Sequence, residues 1–536
     1  MEGLKPFLLS DDRKIILRLI MDSGSIPATT KHITGRCIKA ASNLDQARNW
    51  LDNCLLNHNH GSNVATTRPA RLVAVGAADG SEFIKIVHGS DADKEYLAVS
   101  YRWGNETLLT TTETLELFHT SIPWEQLPQT FKDAIFIARQ LGIGHVWIDS
   151  LCIIQDKLDD WEIESAKMAD IYKSALLTIM AASASDSQGG LFRYRHTTKE
   201  LAVLPYTDAS GATQFSVLVR KALPYYQSFI STTQLFRRGW VFQERLMSRR
   251  KLIFGKDQTY WECSDVVQSE SKKPNQPRHE AWKTRITRTF RAFSDPICKA
   301  VGVDHDGSPE FLWETVVLQY SPCALTYEAD RLPALSGLAR TFARRFGGTY
   351  AAGLWKEHMP NSLLWYVSSG RSRATCKGEY CAPSWSWAST MDQVVFHGYG
   401  GNSELEIISI NIKLAGQDPY GRVCPGSCMR VRGRLRSGRM VKGERYGPAV
   451  CLKTGHKLLE SRIFMDRDNK DLPVEVVYLE VTSGNGKRHD LAICLLLRGT
   501  GADKHFRRVG LATLDPVRQD KEYLFHGLFK EVITLV

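Results

Sequence analysis

Short apolar segments alternate with amphipathic ones between residues 96 and 192. The segments YLAVSY, HVWID and LLTIMAAS are apolar with little alternation, which is typical of strands in a parallel sheet that is covered on both faces. The segments between them repeat their apolar residues every three or four positions, as amphipathic helices do. This order of elements predicts an α/β fold with a parallel sheet flanked by helices.

The first of these helices is predicted between Pro128 and Gly142. Thr130 and Asp133 have the spacing of a capping box, and glycine is a common helix terminator. The apolar positions have helical spacing and predict one buried stripe. This stripe consists of Phe131, Ala134, Ile135, Ala138 and Leu141.

The second helix is predicted to begin near Asp159 or Asp160, because negative charge is favourable at a helix N-terminus. At about 100° per residue, Glu164 falls inside the apolar stripe of this helix. A carboxylate that points into the core needs a partner. The stripe consists of Trp161, Met168, Ile171, Tyr172 and Ala175.

Polar and aromatic residues follow the first two predicted strands. Open α/β sheets bind their ligands beside the carboxyl ends of the strands, so these residues are the predicted ligand-binding residues. They are Tyr101, Arg102, Trp103 and Gly104 after the first strand, and Asp149 and Ser150 after the second.

The same segments resemble the successive blocks of the fungal heterokaryon incompatibility (HET) domain. The resemblance rests on YLAVSYRWG, LPQTFKDAI, LGIGHVWIDSLCIIQ, DWEIESAKMADIY and RRGWVFQERLMSRRKLIFG, in this order. It implies an effector in non-self recognition between fused cells that ends in growth arrest or programmed cell death. It also implies other incompatibility or sensor proteins as partners, and a homo-oligomer.

The HET domain is in turn distantly similar to Toll/interleukin-1 receptor (TIR) domains, which implies a TIR-like parallel sheet. In TIR domains that cleave NAD, the catalytic glutamate stands four residues after a tryptophan on a helix. GWVFQERL reproduces this spacing with Trp240 and Glu244, although about 50 residues separate it from the third strand. The resemblance implies NAD as substrate, Glu244 as the first choice of catalytic carboxylate and Trp240 as a ligand-binding residue. Glu164 is the second choice.

Each of these carboxylates also has a purely structural interpretation. Glu164 would accept hydrogen bonds in the core, and Glu244 would form an ion pair with Arg245 or Arg237. Two molecular functions therefore remain open: an enzyme that cleaves NAD, and a self-assembling signalling module without chemistry of its own.

Composition and charge place the chain among ordinary globular proteins. Its 536 residues are too many for one core, and 43% are hydrophobic and 24% charged. The net charge of +11 is modest and accompanies no nucleic-acid-binding motif, so no nucleic-acid partner is predicted.

The longest apolar runs, LLTIMAASA and LAICLLL, are too short for a membrane span, and acids interrupt the N-terminal apolar residues, so no signal peptide is predicted. A cytoplasmic location is predicted.

Four regions are predicted along the chain. Residues 1–90 form a helical and hairpin adaptor, and residues 91–265 form the HET domain. Residues 266–310 are a polar, basic linker. Residues 311–536 form a strand-rich α+β accessory domain, because β-branched segments alternate there with Gly, Asp or Asn breaks.

No metal or cofactor is predicted. Cys37, Cys54, His58 and His60 offer zinc-binding side chains, but the CxxC pairs of strong zinc motifs are missing. Glycine-rich phosphate-binding motifs are also missing, so NAD enters only as a substrate. Cys152 has no histidine in an obvious partner position and is interpreted as a buried thiol.

Overall fold

The structure is a computed structural model of the 536-residue chain. The chain divides into two compact units, Met1–Arg237 with Glu244–Lys299 and Arg238–Gln243 with Ala300–Val536. The described residues are 17–20, 44–60, 68–76, 83–93, 95–192, 202–207, 213–221, 226–270, 308–368, 380–397, 402–442, 448–452, 462–466, 474–483, 492–514, 525 and 527–536.

The first unit contains an eight-stranded sheet and a separate three-stranded antiparallel sheet. The strands are β1 (Leu17–Ile20), β2 (Arg71–Ala74), β3 (Lys85–His88), β4 (Leu97–Ser100), β5 (His145–Trp147), β6 (Leu177–Met180), β7 (Ala202–Thr207), β8 (Thr213–Lys221), β9 (Arg250–Phe254), β10 (Thr259–Cys263) and β11 (Val267–Ser269).

The eight-stranded sheet has the order β11-β10-β9-β6-β4-β5-β2-β3, and β1-β8-β7 form the smaller sheet. At its centre β5, β4, β6 and β9 run parallel to one another. Counted along the chain, these four parallel strands have the order 2-1-3-4, which is that of a doubly wound sheet with its topological switch point between β4 and β6. The predicted parallel sheet is confirmed at the centre, and antiparallel hairpins extend both sides.

Helices connect and cover these strands. Every residue of β4 and of β6 is buried, which explains why the sequence there lacks polar alternation. The helices up to residue 270 are α1 (Asp45–Asn57), α2 (Leu115–Thr120), α3 (Gln129–Leu141), α4 (Asp149–Cys152), α5 (Leu158–Ser174), α6 (Tyr226–Thr232) and α7 (Gly239–Met247).

The predicted capping box of α3 is wrong, although the helix itself is confirmed. Pro128 occupies the N-cap, so Thr130 lies buried inside the first turn. The Asp133 carboxylate instead accepts a hydrogen bond of 2.6 Å from the amide of Leu191, in the loop after β6. The sequence pattern was misleading because the same spacing of Thr and Asp arises when the carboxylate binds a distant loop and does not cap the helix. Gly142 ends α3 with a left-handed φ of 75°.

The second unit is strand-rich, as predicted. Among its described residues, α8 (Pro309–Tyr320) and α9 (Pro333–Phe346) precede the strands, and both helices begin with a proline. The strands are β12 (Tyr350–Ala351), β13 (Leu354–Trp355), β14 (Trp365–Val367), β15 (Val394–Phe396), β16 (Asn402–Ser403), β17 (Glu406–Asn411), β18 (Cys428–Lys442), β19 (Pro448–Leu452), β20 (Arg462–Met465), β21 (Val474–Ser483), β22 (Ala492–Gly499), β23 (His505–Leu514) and β24 (Lys530–Leu535).

The main sheet of the second unit has nine strands. The long strand β18 pairs with β24 along its first half and with β21 along its second half. Since β21, β22, β23 and β24 also pair in succession, these five strands close into a ring. Buried side chains of the ring, among them Met440, Tyr478 and Leu496, form a hydrophobic core together with Phe525, which lies between β23 and β24.

Two further predictions concern the linker and the membrane. Most of the predicted linker, residues 271–307, lies outside the described residues. Among the residues that the structure does describe, no helix combines the length and apolar character that crossing a bilayer requires.

Candidate functional site

The loops that follow β4, β5 and β6 lie at one edge of the sheet, as expected for parallel strands. We call residues 101–107 and 181–190 of these loops, together with the short helix α4 (Asp149–Cys152), the carboxyl edge. The indole N–H of Trp103 donates a hydrogen bond of 2.8 Å to Oδ2 of Asp149. Trp103 is 37% exposed, so its ring is accessible to a ligand. The structure thus brings together two residues that are 46 positions apart in the sequence.

The loops after β4 and β6 approach each other closely across the switch point. The hydroxyls of Thr107 and Ser187 are 3.2 Å apart. Gly104 lies so close to the next loop that a Cβ atom there would be 2.9 Å from Cβ of Asp186. The absence of a side chain at Gly104 is therefore a packing requirement of the carboxyl edge.

We expect Gly104→Ala to destabilise these two loops by about 1–3 kcal/mol, because overpacking forces neighbouring backbone to shift. Hydrogen exchange of peptides covering residues 101–107 and 183–190 measures the effect. Gly144→Ala is the matched control, since its Cβ would meet only Asp93 Oδ2 at 3.4 Å. Equal exchange in the two variants would contradict the packing role of Gly104.

A buried tyrosine and a buried glutamate belong to the same region. The hydroxyl of Tyr172 on α5 donates a hydrogen bond of 3.0 Å to the carbonyl of Val99 on β4. Burial raises the pKa of Tyr172 well above its usual range, and the nearby carboxylates of Glu244 and Asp149 add to the increase. The phenol therefore remains a hydrogen-bond donor at neutral pH, in hydrogen-bonding range of Glu244.

Glu244 lies on α7 and is only 5% exposed. Its backbone carbonyl accepts a hydrogen bond of 2.6 Å from the hydroxyl of Ser248. That hydroxyl is also 2.7 Å from the hydroxyl of Thr178 at the start of β6. These contacts hold the last turn of α7 beside the central strands. Arg245, which sequence analysis considered as a partner of Glu244, forms an ion pair with Glu262 at 3.1 Å.

Two buried hydroxyls mark the ends of β4 and β5. Ser100 and Ser150 are 1% and 0% exposed, and neither side chain forms a hydrogen bond with any residue that the structure describes. Buried polar groups in folded proteins nearly always have a partner. These two hydroxyls therefore provide hydrogen-bonding capacity at the carboxyl ends of two adjacent strands.

Residues 96–244 match the family model described as heterokaryon incompatibility protein (HET). The chain contains a HET domain. No curated protein and no solved structure shows significant similarity to the chain. The HET domain indicates a role related to heterokaryon incompatibility. Its matched range begins one residue before β4 and ends at Glu244, so it includes the whole carboxyl edge.

The other predicted ligand-binding residues have different surroundings. Within the HET domain, Tyr101 is buried and its ring packs edge-on against Phe131, with 5.0 Å between ring centres. Arg102 donates a hydrogen bond of 2.6 Å to the side chain of Gln234. Trp240 belongs to the second compact unit, where its indole donates to Asp330 at 3.2 Å.

Glu164, the second candidate carboxylate, lies in the core of the HET domain with 1% exposure. Its oxygens accept hydrogen bonds from the ammonium of Lys167 at 2.7 Å and from the amide of Ala70 at 3.2 Å. The inward direction predicted for Glu164 is confirmed, and these two donors are the partners that such a carboxylate needs.

Cys152 is completely buried in the HET domain. Burial raises the pKa of its thiol to about 12, so the thiol is protonated at neutral pH. A protonated, inaccessible sulfur is a poor nucleophile. The interpretation of Cys152 as a structural thiol agrees with this environment.

Two residues, Tyr172 and Cys263, were not predicted from the sequence to contribute to a site. One is Tyr172, which was assigned only to an apolar stripe although its hydroxyl meets Glu244. The other is Cys263, whose sulfur lies close to the side chains of Cys54, His58 and His60. The three residues at 54–60 were visible as potential ligands, but no local signal connects them with a residue on β10.

Proposed function

We propose that the HET domain is the effector of a fungal non-self recognition response, and that it acts by TIR-like cleavage of NAD at the carboxyl edge. The observation that carries this proposal is the grouping of Trp103, Asp149, Tyr172 and Glu244 around the ends of the parallel strands. A nucleotide glycosidase needs an aromatic ring to bind a base and carboxylates to act on the glycosidic bond. Trp103 and Asp149 provide a ring and a carboxylate near the surface, and Glu244 provides a second, buried carboxylate.

The chemistry requires one well-placed carboxylate. The bond between C1′ of the ribose and the nicotinamide nitrogen breaks, nicotinamide leaves with the bonding electrons as a neutral molecule, and the ribose passes through an oxocarbenium-like state. Glu244 stabilises this positive charge, or it orients the water that adds to C1′ and accepts the proton that this water loses before releasing it to solvent. Trp103 stacks on a base, and Arg102 meets a phosphate.

Substrate access in this proposal depends on loop movement. Glu244 is only 5% exposed, so a ribose reaches it only when the residues that cover it separate. Assembly with other HET domains or with a sensor protein supplies the free energy for this separation. Activity then requires assembly, and the isolated chain is nearly inactive.

A second candidate function is a non-enzymatic module that signals by assembly alone. The HET domain exposes Leu117, Leu158 and Ile163 by more than half, at 56%, 65% and 55%. Exposed apolar side chains favour association with another protein where they form a contiguous patch, as this alternative requires of these three. In this alternative, Glu244 and Glu164 have only structural roles.

We expect induced expression of the full chain in cells to deplete NAD, and Glu244→Gln to lower the rate of loss by about 10²–10⁴-fold, as removal of a catalytic acid or base does. Cellular expression is preferable to a dilute assay because assembly depends on concentration. The measurement is NAD per cell over time at matched protein levels.

Two further variants sharpen this experiment. Glu162→Gln removes an exposed carboxylate from α5 and is the matched control, for which unchanged NAD loss is expected. Glu164→Gln tests the second candidate carboxylate. Growth arrest with constant NAD would reject NAD cleavage and favour the assembly module. Equal NAD loss with Glu244→Gln would reject the role of Glu244, provided that circular dichroism shows an intact fold.

A further inference from the structure

Four side chains with metal-binding atoms converge at the end of β10. They are Cys54 on α1, His58 and His60 just after α1, and Cys263 as the last residue of β10. The sulfur of Cys54 is 3.0 Å from Nε2 of His60, and the sulfur of Cys263 is 3.5 Å from Nδ1 of His58. All four ligand atoms lie within 4.8 Å of one another.

The separations of 3.0 and 3.5 Å and the upper limit of 4.8 Å bracket the dimensions of a tetrahedral zinc site. Bonds of about 2.3 Å to sulfur and 2.0–2.1 Å to nitrogen place the ligand atoms of such a site about 3.3–3.8 Å apart. Two thiolates and two neutral imidazoles also balance the charge of a divalent ion. Sulfur and imidazole ligands in tetrahedral arrangement are those of zinc rather than of magnesium or calcium.

A neighbouring carboxylate supports one of the four candidate ligands. Nδ1 of His60 lies 3.6 Å from Oδ2 of Asp265, which leaves Nε2 directed towards the sulfur of Cys54. A carboxylate behind a histidine is a common outer partner in zinc sites, because it orients the ring and fixes the tautomer.

We infer that Cys54, His58, His60 and Cys263 bind one zinc ion, which fastens the N-terminal helix α1 to the edge hairpin of the sheet. Cys54, His60 and Cys263 are buried and His58 is half-buried, so four protein ligands close the coordination sphere. A closed site without an open position is structural rather than catalytic. The ligands lie on both sides of the matched range 96–244, so the zinc joins segments that flank the HET domain.

The inferred zinc site changes how the two flanking segments are held. α1 contacts β10, and the buried face of α1 includes Ala47, Trp50 and Leu51. This face is small, and the metal adds a link between residues that are 209 positions apart in the sequence. Loss of zinc should therefore loosen α1 and the β10–β11 hairpin, while the central strands β4 and β6 remain protected.

The test begins with the unmodified full chain. After purification without chelators, elemental analysis is expected to give about one zinc ion per chain. Replacement by cobalt(II) should produce the ligand-field absorption of a tetrahedral site with thiolate ligands. Removal of zinc with a strong chelator should raise hydrogen exchange in residues 45–60 and 259–270, and added zinc should restore protection.

The zinc content of variants that each lack one candidate ligand shows where the ion binds. Cys263→Ser and His58→Gln are each expected to lower the zinc content at least about tenfold, as loss of a ligand does. Cys323→Ser is the matched control, because Cys323 is also a buried reduced thiol but lies in the second unit. His58→Gln keeps the test decisive if Cys263→Ser does not fold, since His58 is half-buried and glutamine preserves much of its volume.

Three results would overturn the inference. The first is a folded wild-type chain that contains no zinc and binds neither zinc nor cobalt(II) when these ions are supplied. The second is a Cys54–Cys263 disulfide in the folded chain, detected by mass spectrometry after alkylation. The third is zinc that remains at full stoichiometry in Cys263→Ser and His58→Gln, which would place the ion elsewhere.

Discussion

Arg508→Leu is expected to lower the free energy of unfolding of the second unit by about 3–5 kcal/mol, because it removes one partner of a buried ion pair. The guanidinium of Arg508 donates to both carboxylate oxygens of Asp466, at 2.9 and 3.3 Å. It also donates to the carbonyls of Leu363 and Trp365, and it stacks on the Trp365 ring at 3.5 Å. Leucine replaces none of these hydrogen bonds.

The measurement is hydrogen exchange of peptides from β22 and β23 in increasing denaturant, which reports on the second unit alone. Arg432→Leu is the control, because Arg432 pairs with Glu406 at 2.9 Å on the surface, and exposed pairs contribute about 0–1 kcal/mol. The combined variant Arg508→Leu with Asp466→Leu should recover part of the loss, since no carboxylate then stays buried without Arg508. A loss below about 1 kcal/mol for Arg508→Leu would contradict this account.

Glu262→Gln is expected to destabilise the eight-stranded sheet by about 3 kcal/mol at neutral pH, and this effect should disappear in acid. Glu262 on β10 is buried and accepts hydrogen bonds from Arg245, at 3.1 and 3.2 Å, and from Tyr226. The ammonium of Lys251 is 3.6 Å away. Burial alone would raise the pKa of Glu262, but Arg245 and Lys251 together with the hydrogen bonds outweigh it and hold the pKa at about 2.

The direction of the pH dependence follows from the depressed pKa. In the unfolded chain Glu262 has an ordinary carboxyl pKa of 4.5, so as the pH falls it is protonated there first. In the folded chain Glu262 is protonated only near pH 2. The stabilisation by the Glu262 carboxylate is therefore complete above about pH 5 and is lost as the pH falls towards 2. Wild type and Glu262→Gln should approach each other in stability across this window.

Unfolding free energies at pH 7, 5 and 3, measured by hydrogen exchange of the β9–β10 peptides, test this prediction. Glu406→Gln provides the comparison, because the side chain of Glu406 is 56% exposed and its removal should have little effect at any pH. A difference between wild type and Glu262→Gln that stays constant from pH 7 to pH 3 would show that Glu262 does not carry the charge interaction described above.

The local parts of the fold are predictable from sequence because they depend on short-range periodicity. The stripe of α3 and the unalternated strands β4 and β6 are confirmed, since each reports burial of residues that are close in the chain. The meeting of Trp103 with Asp149 was also foreseeable, because parallel strands bring their carboxyl ends to one edge.

The partners of Glu262 and Cys263 could not be predicted in the same way. All residues of β9 and β10 are buried, so neither strand has the alternation from which a register could be inferred. The actual register places Lys251 opposite Glu262 and Arg250 opposite Cys263. A shift by one residue would have left the hydrophobic pattern equally acceptable while separating each of these pairs.

The position of Cys263, far along the chain from α1, also affects the order of events during translation. At about 5–20 residues per second, the ribosome completes β10 roughly 10–40 s after α1 has been synthesised. During this interval the apolar face of α1 has no β10 to cover it, and it is available to chaperones or to premature contacts. A nascent chain that stalls at Glu244, the end of the HET match, would carry all of the carboxyl edge and still lack the strand that receives its first helix.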